Sequence, residues 1–126
     1  MTHQLLMIED DNRLANMVSE YLGQSGFAVS HAGDGQGGLA RLQDASGHAL
    51  PDLVILDLML PGQSGLEILA GLRGDPATAA LPVLMLSAKG QARDREAAER
   101  AGANAFMSKP FSNAERLAQV RAMVGA

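Results

Sequence analysis

The sequence predicts an α/β protein built on a doubly wound, parallel sheet of five strands. Five short apolar runs occur along the chain, and three of them are continuously apolar, as expected for strands that helices cover on both faces. Segments with helical periodicity separate the runs, so the β-α pattern occurs five times, and right-handed crossovers then place helices on both sides of the sheet. The predicted strands span residues 5–8, 27–29, 53–56, 83–86 and 105–107.

Three helices are predicted from the spacing of their apolar residues. Apolar side chains recur with helical period from Leu14, which predicts an amphipathic first helix that ends at Gly23. A weaker pattern predicts a second helix over 35–43, and residues 91–101 predict the fourth, ended by Gly102. The fourth helix has an inner face of small side chains, which fits either a mobile element or a close contact between helix and sheet. These side chains are Ala92, Ala97, Ala98 and Ala101.

Capping residues predict the starts of the other two helices. Ser64 is followed three residues later by Glu67, and Ser112 by Glu115, so each pair has the pattern of a capping box. The third helix is expected to run through 72, and the fifth to end near 124. Asp11 is interpreted mainly as the N-cap of the first helix, because an aspartate at that place accepts free backbone N–H groups.

The composition indicates one globular domain, expected over residues 1–126 without an output domain. Apolar residues make up 47% of the chain, and the net charge of −4 argues against direct binding of nucleic acid or an anionic membrane. The absence of cysteine excludes disulfides and thiol chemistry and fits a cytoplasmic protein. The first apolar run is too short for a signal peptide, and no run approaches the roughly 20 residues that a membrane helix needs.

Polar and charged side chains follow four of the five predicted strands, directly after three of them and one residue further on after the fifth. They are Glu9, Asp10 and Asp11 after the first strand, Asp57 after the third, Ser87 after the fourth and Lys109 after the fifth. Since ligands of parallel sheets bind at the carboxyl ends of the strands, these groups are expected to converge. Each of them alone has an ordinary explanation, as a solvated acid, a helix cap or a surface lysine. Their joint placement is what indicates a site.

Glu9, Asp10 and Asp57 would repel each other if all three were ionised and close together. Such a site therefore needs either a proton or a cation among its carboxylates. Hard oxygen ligands favour Mg²⁺. A carboxylate beside Mg²⁺ and an ammonium group is suited to accept a phosphoryl group, with Asp57 as the nucleophile. Lys109 would then bind one phosphoryl oxygen, and Ser87 would donate a hydrogen bond to another.

Four segments in order along the chain resemble the motifs of receiver domains from bacterial two-component response regulators. They are the acidic segment 6–11, the aspartate segment 52–62, the hydroxyl segment 86–89 and the lysine-proline segment 106–111. The resemblance covers the chain from the first strand to the last helix. It implies a flavodoxin-like (βα)5 three-layer sandwich with the strand order 2-1-3-4-5.

The resemblance also implies roles for the site residues. Asp57 would be the phosphoacceptor, with Lys109 in contact with it and a cis peptide bond between Lys109 and Pro110. Mg²⁺, with Mn²⁺ as an alternative, would be held by Asp10, Asp57 and the backbone carbonyl of Met59, and by Glu9 mostly through water. Such a protein is a phosphoacceptor that promotes its own phosphorylation and slow dephosphorylation, and is not a conventional enzyme.

The same resemblance implies a conformational switch. After phosphorylation Ser87 would move toward the phosphoryl group, and Phe106 would turn inward into the vacated space. Met59 and Lys89 would modulate the lifetime of the phosphorylated form. The donor would be a sensor histidine kinase or a histidine phosphotransfer protein, and the surface of helix four, strand five and helix five would contact a downstream protein or an output domain.

Residues of that surface bear on self-association. Arg95 and Glu115 resemble a pair that bridges dimers of the winged-helix regulators in this family. Ala105 and Gln119 stand where further charged partners would be expected, so we expect a monomer or a weak dimer that depends on phosphorylation.

Other classes of protein fit the residues less well. A haloacid-dehalogenase-type phosphatase would need Asp-x-Asp after the first strand, where this chain has Glu9-Asp10-Asp11. A toprim-type nuclease would need Asp-x-Asp after the third strand, where Met59 stands two residues beyond Asp57. A receiver-like binding module without phosphorylation would not need Asp57, Ser87 and Lys109 together.

Overall fold

The computed structural model describes residues 3–43, 50–58, 60, 64–87, 92–108 and 112–124, and five strands alternate with five helices in it. The elements in chain order are β1 (Gln4–Ile8), α1 (Asn12–Gln24), β2 (Ala28–Ala32), α2 (Gly35–Gln43), β3 (Leu53–Asp57), α3 (Gly65–Gly74), β4 (Val83–Ser87), α4 (Ala92–Ala101), β5 (Ala105–Ser108) and α5 (Asn113–Val124).

All strand pairs are parallel, and the sheet has the order β2-β1-β3-β4-β5. This confirms the predicted flavodoxin-like arrangement. Strand β3 lies at the centre, is buried along its whole length and ends at Asp57. The carboxyl ends of β1 and β3 are therefore neighbours at one edge of the sheet, with Ile8 opposite Leu56.

The sheet separates two apolar layers, because successive residues of a strand point to opposite faces. Leu6 and Ile8 of β1 pack in the layer under α2, α3 and α4. Leu5 and Met7 pack in the layer under α1 and α5. Continuous apolar strands supply both layers, which is why the sequence did not alternate in polarity.

Three helix starts have the predicted capping residues. The Asp11 carboxylate accepts hydrogen bonds from the N–H groups of Arg13 and Leu14, at 3.0 and 3.2 Å. The Ser64 hydroxyl accepts from the Leu66 N–H at 3.0 Å. These bonds confirm Asp11 and Ser64 as N-caps.

Both hydrogen bonds of the second predicted capping box, between Ser112 and Glu115, are present. The Glu115 N–H donates to the Ser112 hydroxyl at 3.0 Å, and the Ser112 N–H donates to the Glu115 carboxylate at 3.3 Å.

Strand β2 differs from the prediction, because it runs from Ala28 to Ala32 and not over 27–29. The cause is its partner: all five residues of β1 pair with β2, from Gln4 opposite Ala28 to Ile8 opposite Ala32. The backbone ladder thus carries the strand through the polar residues Ser30 and His31, which the apolar pattern could not include.

Candidate acidic site at the carboxyl edge of the sheet

Three carboxylates meet where β1 and β3 end. Asp57 is the last residue of β3, and Glu9 and Asp10 directly follow β1. One carboxylate oxygen from each lies within 4.8 Å of the others. Glu9 is 1% exposed and Asp57 is 5% exposed, whereas Asp10 faces solvent. The structure therefore brings together the three acids that the sequence placed at this edge.

A glycine allows α3 to begin directly against the end of β3. The Gly65 N–H donates to the Leu58 carbonyl at 2.8 Å, and the Leu58 N–H donates to the Leu86 carbonyl at 2.8 Å. A Cβ atom on Gly65 would overlap the Asp57 carbonyl oxygen and lie 2.8 Å from the Leu58 Cα. Because Gly65 has no side chain, the chain around Asp57 can be this closely packed.

The backbone of Glu9 contacts two residues of strand β2. The Glu9 N–H donates to the Ala32 carbonyl at 3.0 Å. Nε2 of His31 lies 2.6 Å from the Glu9 carbonyl oxygen. A carbonyl can only accept, so the tautomer with hydrogen on Nε2 fits this contact. His31 lies beyond the predicted second strand, which ended at residue 29, and it was not among the predicted site residues.

A buried arginine lies at the same edge of the sheet as the three carboxylates. Arg116 is in the first turn of α5 and is only 2% exposed. Burial lowers the pKa of its guanidinium, and the negative charge of Glu9 acts in the opposite direction and raises that pKa. Arg116 was not among the residues that the sequence predicted for the site. The available signal was its place one turn before Val120, on the same helical face.

Phe106, the predicted switch residue, is half-buried in β5 and packs against the layer under α2, α3 and α4. It also lines a cavity of about 260 Å³ between α4, β5 and α5. Arg95 in the wall of this cavity pairs with Glu99 of its own helix at 3.5 Å. The other residues that line it are Ala103, Asn104, Ala105 and Gln119.

Several predicted site residues lie outside the described part of the chain. They are Met59, Lys89, Lys109 and Pro110, and with them the predicted cis peptide bond. Ser87 ends β4 opposite Ser108, but its side chain is not described. Their roles stay predictions from the sequence.

The three carboxylates fit a magnesium ion. They offer hard oxygen ligands close enough to bind one ion, and the exposed Asp10 leaves room for water, which Mg²⁺ retains in proteins. The described residues bring no histidine or cysteine into this group, so nothing in it favours a softer metal.

Comparisons with known proteins define the class. The family model described as response regulator receiver domain matches residues 5–121. The regulator RpaA of Synechocystis, described as a DNA-binding dual master transcriptional regulator, is 40% identical over 96% of this chain and 48% of its own length. The phosphate regulon transcriptional regulatory protein PhoB of Rhizobium meliloti is 39% identical over 98% of this chain and 53% of its own.

A solved structure, that of a candidate response regulator from Chloroflexus aurantiacus, superposes with a TM-score of 0.88 at 34% identity, and each chain covers the other fully. The chain thus belongs to the response regulator receiver domain family. This family membership implies a phosphoacceptor domain for phosphorylation-dependent signalling, in which acidic residues bind Mg²⁺. The chain spans about half the length of the curated relatives it matches. Among the described residues, no helix has the length and apolar character needed to span a bilayer.

Proposed function

We propose that this chain is a signalling switch in which Asp57 accepts a phosphoryl group. The observation that carries the proposal is the convergence of Asp57, Glu9 and Asp10, with carboxylate oxygens within 4.8 Å of one another. Asp57 is buried at the end of the central strand, so a change in its charge acts on the inside of the protein. A carboxylate on a rigid strand is also well oriented for in-line attack.

The transfer would form one bond and break another. An Asp57 carboxylate oxygen attacks the phosphorus of a phosphohistidine, and the bond from phosphorus to the imidazole nitrogen breaks. The imidazole leaves with the electron pair, and an acyl phosphate remains on Asp57. Glu9, Asp10, Asp57 and the Met59 carbonyl would hold Mg²⁺, which neutralises charge on the phosphoryl oxygens.

Other residues of the chain would bind and transmit the new charge. Lys109 would bind a phosphoryl oxygen, and the Ser87 hydroxyl would donate to another, which draws β4 toward the site. Phe106 would then turn inward from its half-buried position in β5. These movements would change the surface formed by α4, β5 and α5. Met59 and Lys89 would affect how easily water reaches the phosphoaspartate.

The proposed partners follow from this mechanism. The donor is a sensor histidine kinase or a histidine phosphotransfer protein, and the receiver of the signal is a downstream protein or an output domain. The net charge of −4 argues against direct contact with nucleic acid. We propose that residues 1–126 act as one cytoplasmic receiver domain, as a monomer or as a weak dimer that forms on phosphorylation. The pairing of Arg95 with Glu99 in its own helix is consistent with weak self-association.

Incubation with acetyl phosphate and Mg²⁺, followed by intact mass measurement, tests the proposal. We expect the wild-type protein to gain the mass of one phosphoryl group, and to gain nothing without Mg²⁺. Asp57→Asn should abolish the gain. Asp34→Asn is the matched control, because Asp34 is an exposed acid after β2 whose Oδ1 accepts a hydrogen bond from the Gly37 N–H. Asp34→Asn should be phosphorylated like the wild type.

The proposal is wrong if Asp57→Asn still gains a phosphoryl group, or if the wild-type protein gains none from any phosphodonor. The second result would favour a binding module that is not phosphorylated. Beryllofluoride, a stable mimic of the phosphoryl group, gives an independent measurement, because its binding should require both Mg²⁺ and Asp57.

A further inference from the structure

Arg116 is a buried cation on α5. Its helix packs on α1 and β3, and the layer beneath is built from leucine, valine, isoleucine and methionine side chains. Arginine is almost never fully buried unless a negative group compensates its charge. The 2% exposure of Arg116 therefore requires an electrostatic reason.

The acidic site contributes to that compensation. Helix α5 begins after the carboxyl end of β5, so its first turn lies at the same edge of the sheet as the ends of β1 and β3. Glu9 is buried at that edge, and its negative charge acts on the Arg116 guanidinium. The three carboxylates carry negative charge when ionised, and the positive charge of Arg116 offsets part of it.

We propose that the buried positive charge of Arg116 acts on the acidic site and weakens its binding of Mg²⁺. The physical argument is Coulombic. A fixed positive charge near the site repels a divalent cation, and burial limits the screening of that repulsion by water and salt. The unphosphorylated protein would then bind Mg²⁺ less tightly than an otherwise identical protein with an apolar residue at 116. This inference rests on the proposed use of Mg²⁺ by the site.

The alternative is a purely structural arginine, whose removal would change stability without changing the affinity for Mg²⁺. The two roles are separated by measuring both quantities on the same variants. Arg116→Leu removes the charge and fits the apolar layer, and Arg116→Lys keeps the charge. Arg121→Leu is the matched control, because Arg121 is exposed on the same helix and its loss changes the net charge equally.

Isothermal titration of the unphosphorylated proteins with MgCl2 at low ionic strength measures the dissociation constant. We expect Arg116→Leu to bind Mg²⁺ about tenfold more tightly than wild type, given the strength of charge interactions at partly buried sites. Arg116→Lys should stay within about twofold of wild type, since the charge remains. Arg121→Leu should also stay within about twofold, since an exposed distant charge is screened. Thermal unfolding of each variant shows that it is folded, and Arg116→Met replaces Arg116→Leu if the latter is not.

Unchanged or weaker Mg²⁺ binding in the apolar variant would overturn the inference. An equal effect of Arg121→Leu would do the same, because the cause would then be the net charge. Phosphorylation by acetyl phosphate at saturating Mg²⁺ separates this inference from the proposed function. Wild type and Arg116→Leu should then be phosphorylated to the same extent if Asp57 is the acceptor, whatever the role of Arg116. At limiting Mg²⁺ the Arg116→Leu variant should be phosphorylated more.

Discussion

Arg73 joins three parts of the chain that are separate in sequence, and we expect its replacement by methionine to destabilise the protein strongly. Its Nε and Nη2 donate to the Gly102 carbonyl at 3.0 and 2.8 Å, and Nη2 also donates to the Asn104 side-chain oxygen at 2.9 Å. Its Nη1 donates to the Leu81 carbonyl at 2.7 Å, with longer bonds to Ala79 and Thr78 at 3.2 and 3.4 Å. One guanidinium therefore connects the end of α3, the turn before β4 and the end of α4.

The magnitude follows from the four bonds of 3.0 Å or less. A hydrogen bond to a charged group contributes about 1.5–3 kcal/mol when it is removed alone. The four share one side chain, so their effects do not add. Burial removes part of the hydration of the Arg73 guanidinium and so lowers its pKa, and this loss offsets part of the gain. We therefore expect Arg73→Met to lower the free energy of unfolding by about 2–4 kcal/mol, out of a typical total of 5–15 kcal/mol.

Urea unfolding followed by far-ultraviolet circular dichroism measures this difference. Arg100→Met is the control, because Arg100 is an exposed arginine whose only described ion pair, to Glu96, is 3.9 Å long. Its replacement should change stability by less than about 0.5 kcal/mol. Arg73→Lys should recover less than half of the loss, since an ammonium cannot reproduce the planar fork of donors. A loss for Arg73→Met as small as that of Arg100→Met would refute the reasoning.

Two further predictions concern α3 and the phosphorylated form. Gly65→Ala should destabilise the protein by about 2–4 kcal/mol and reduce phosphorylation of Asp57, because the new Cβ would overlap the Asp57 carbonyl. Gly71→Ala is the control, because its new Cβ would contact only Leu39 methyl groups at 3.6 Å. Chemical unfolding should show this change to be neutral or stabilising by up to about 1 kcal/mol. Equal effects of the two changes on stability would contradict this account. Met59→Asn should shorten the lifetime of the phosphorylated form, measured by the decay of its intact mass, because an amide can orient water that a thioether excludes; an unchanged lifetime would count against a modulating role.

The strand cores and the acidic cluster were predictable because each depends on local sequence. Buried parallel strands must be apolar on both faces, and residues such as Asp57 that follow them must lie at one edge. The register of β2 was not predictable, since pairing with β1 carries it through Ser30 and His31. Arg116 was missed for a related reason. An arginine in an amphipathic helix is normally at the surface, and Glu9, whose negative charge acts on Arg116, lies more than a hundred residues away in sequence.

The bonds of Arg73 have a mechanical consequence for α4. They hold the carboxyl end of this helix, through Gly102, to the amino ends of β4 and β5, where the Val83 N–H also donates to Asn104 at 2.9 Å. The acidic site lies at the other end of the strands. A helix that is fixed at one end responds to a displacement at the other end by tilting. A small displacement beside Asp57 would therefore move the amino end of α4, while its carboxyl end stays in place.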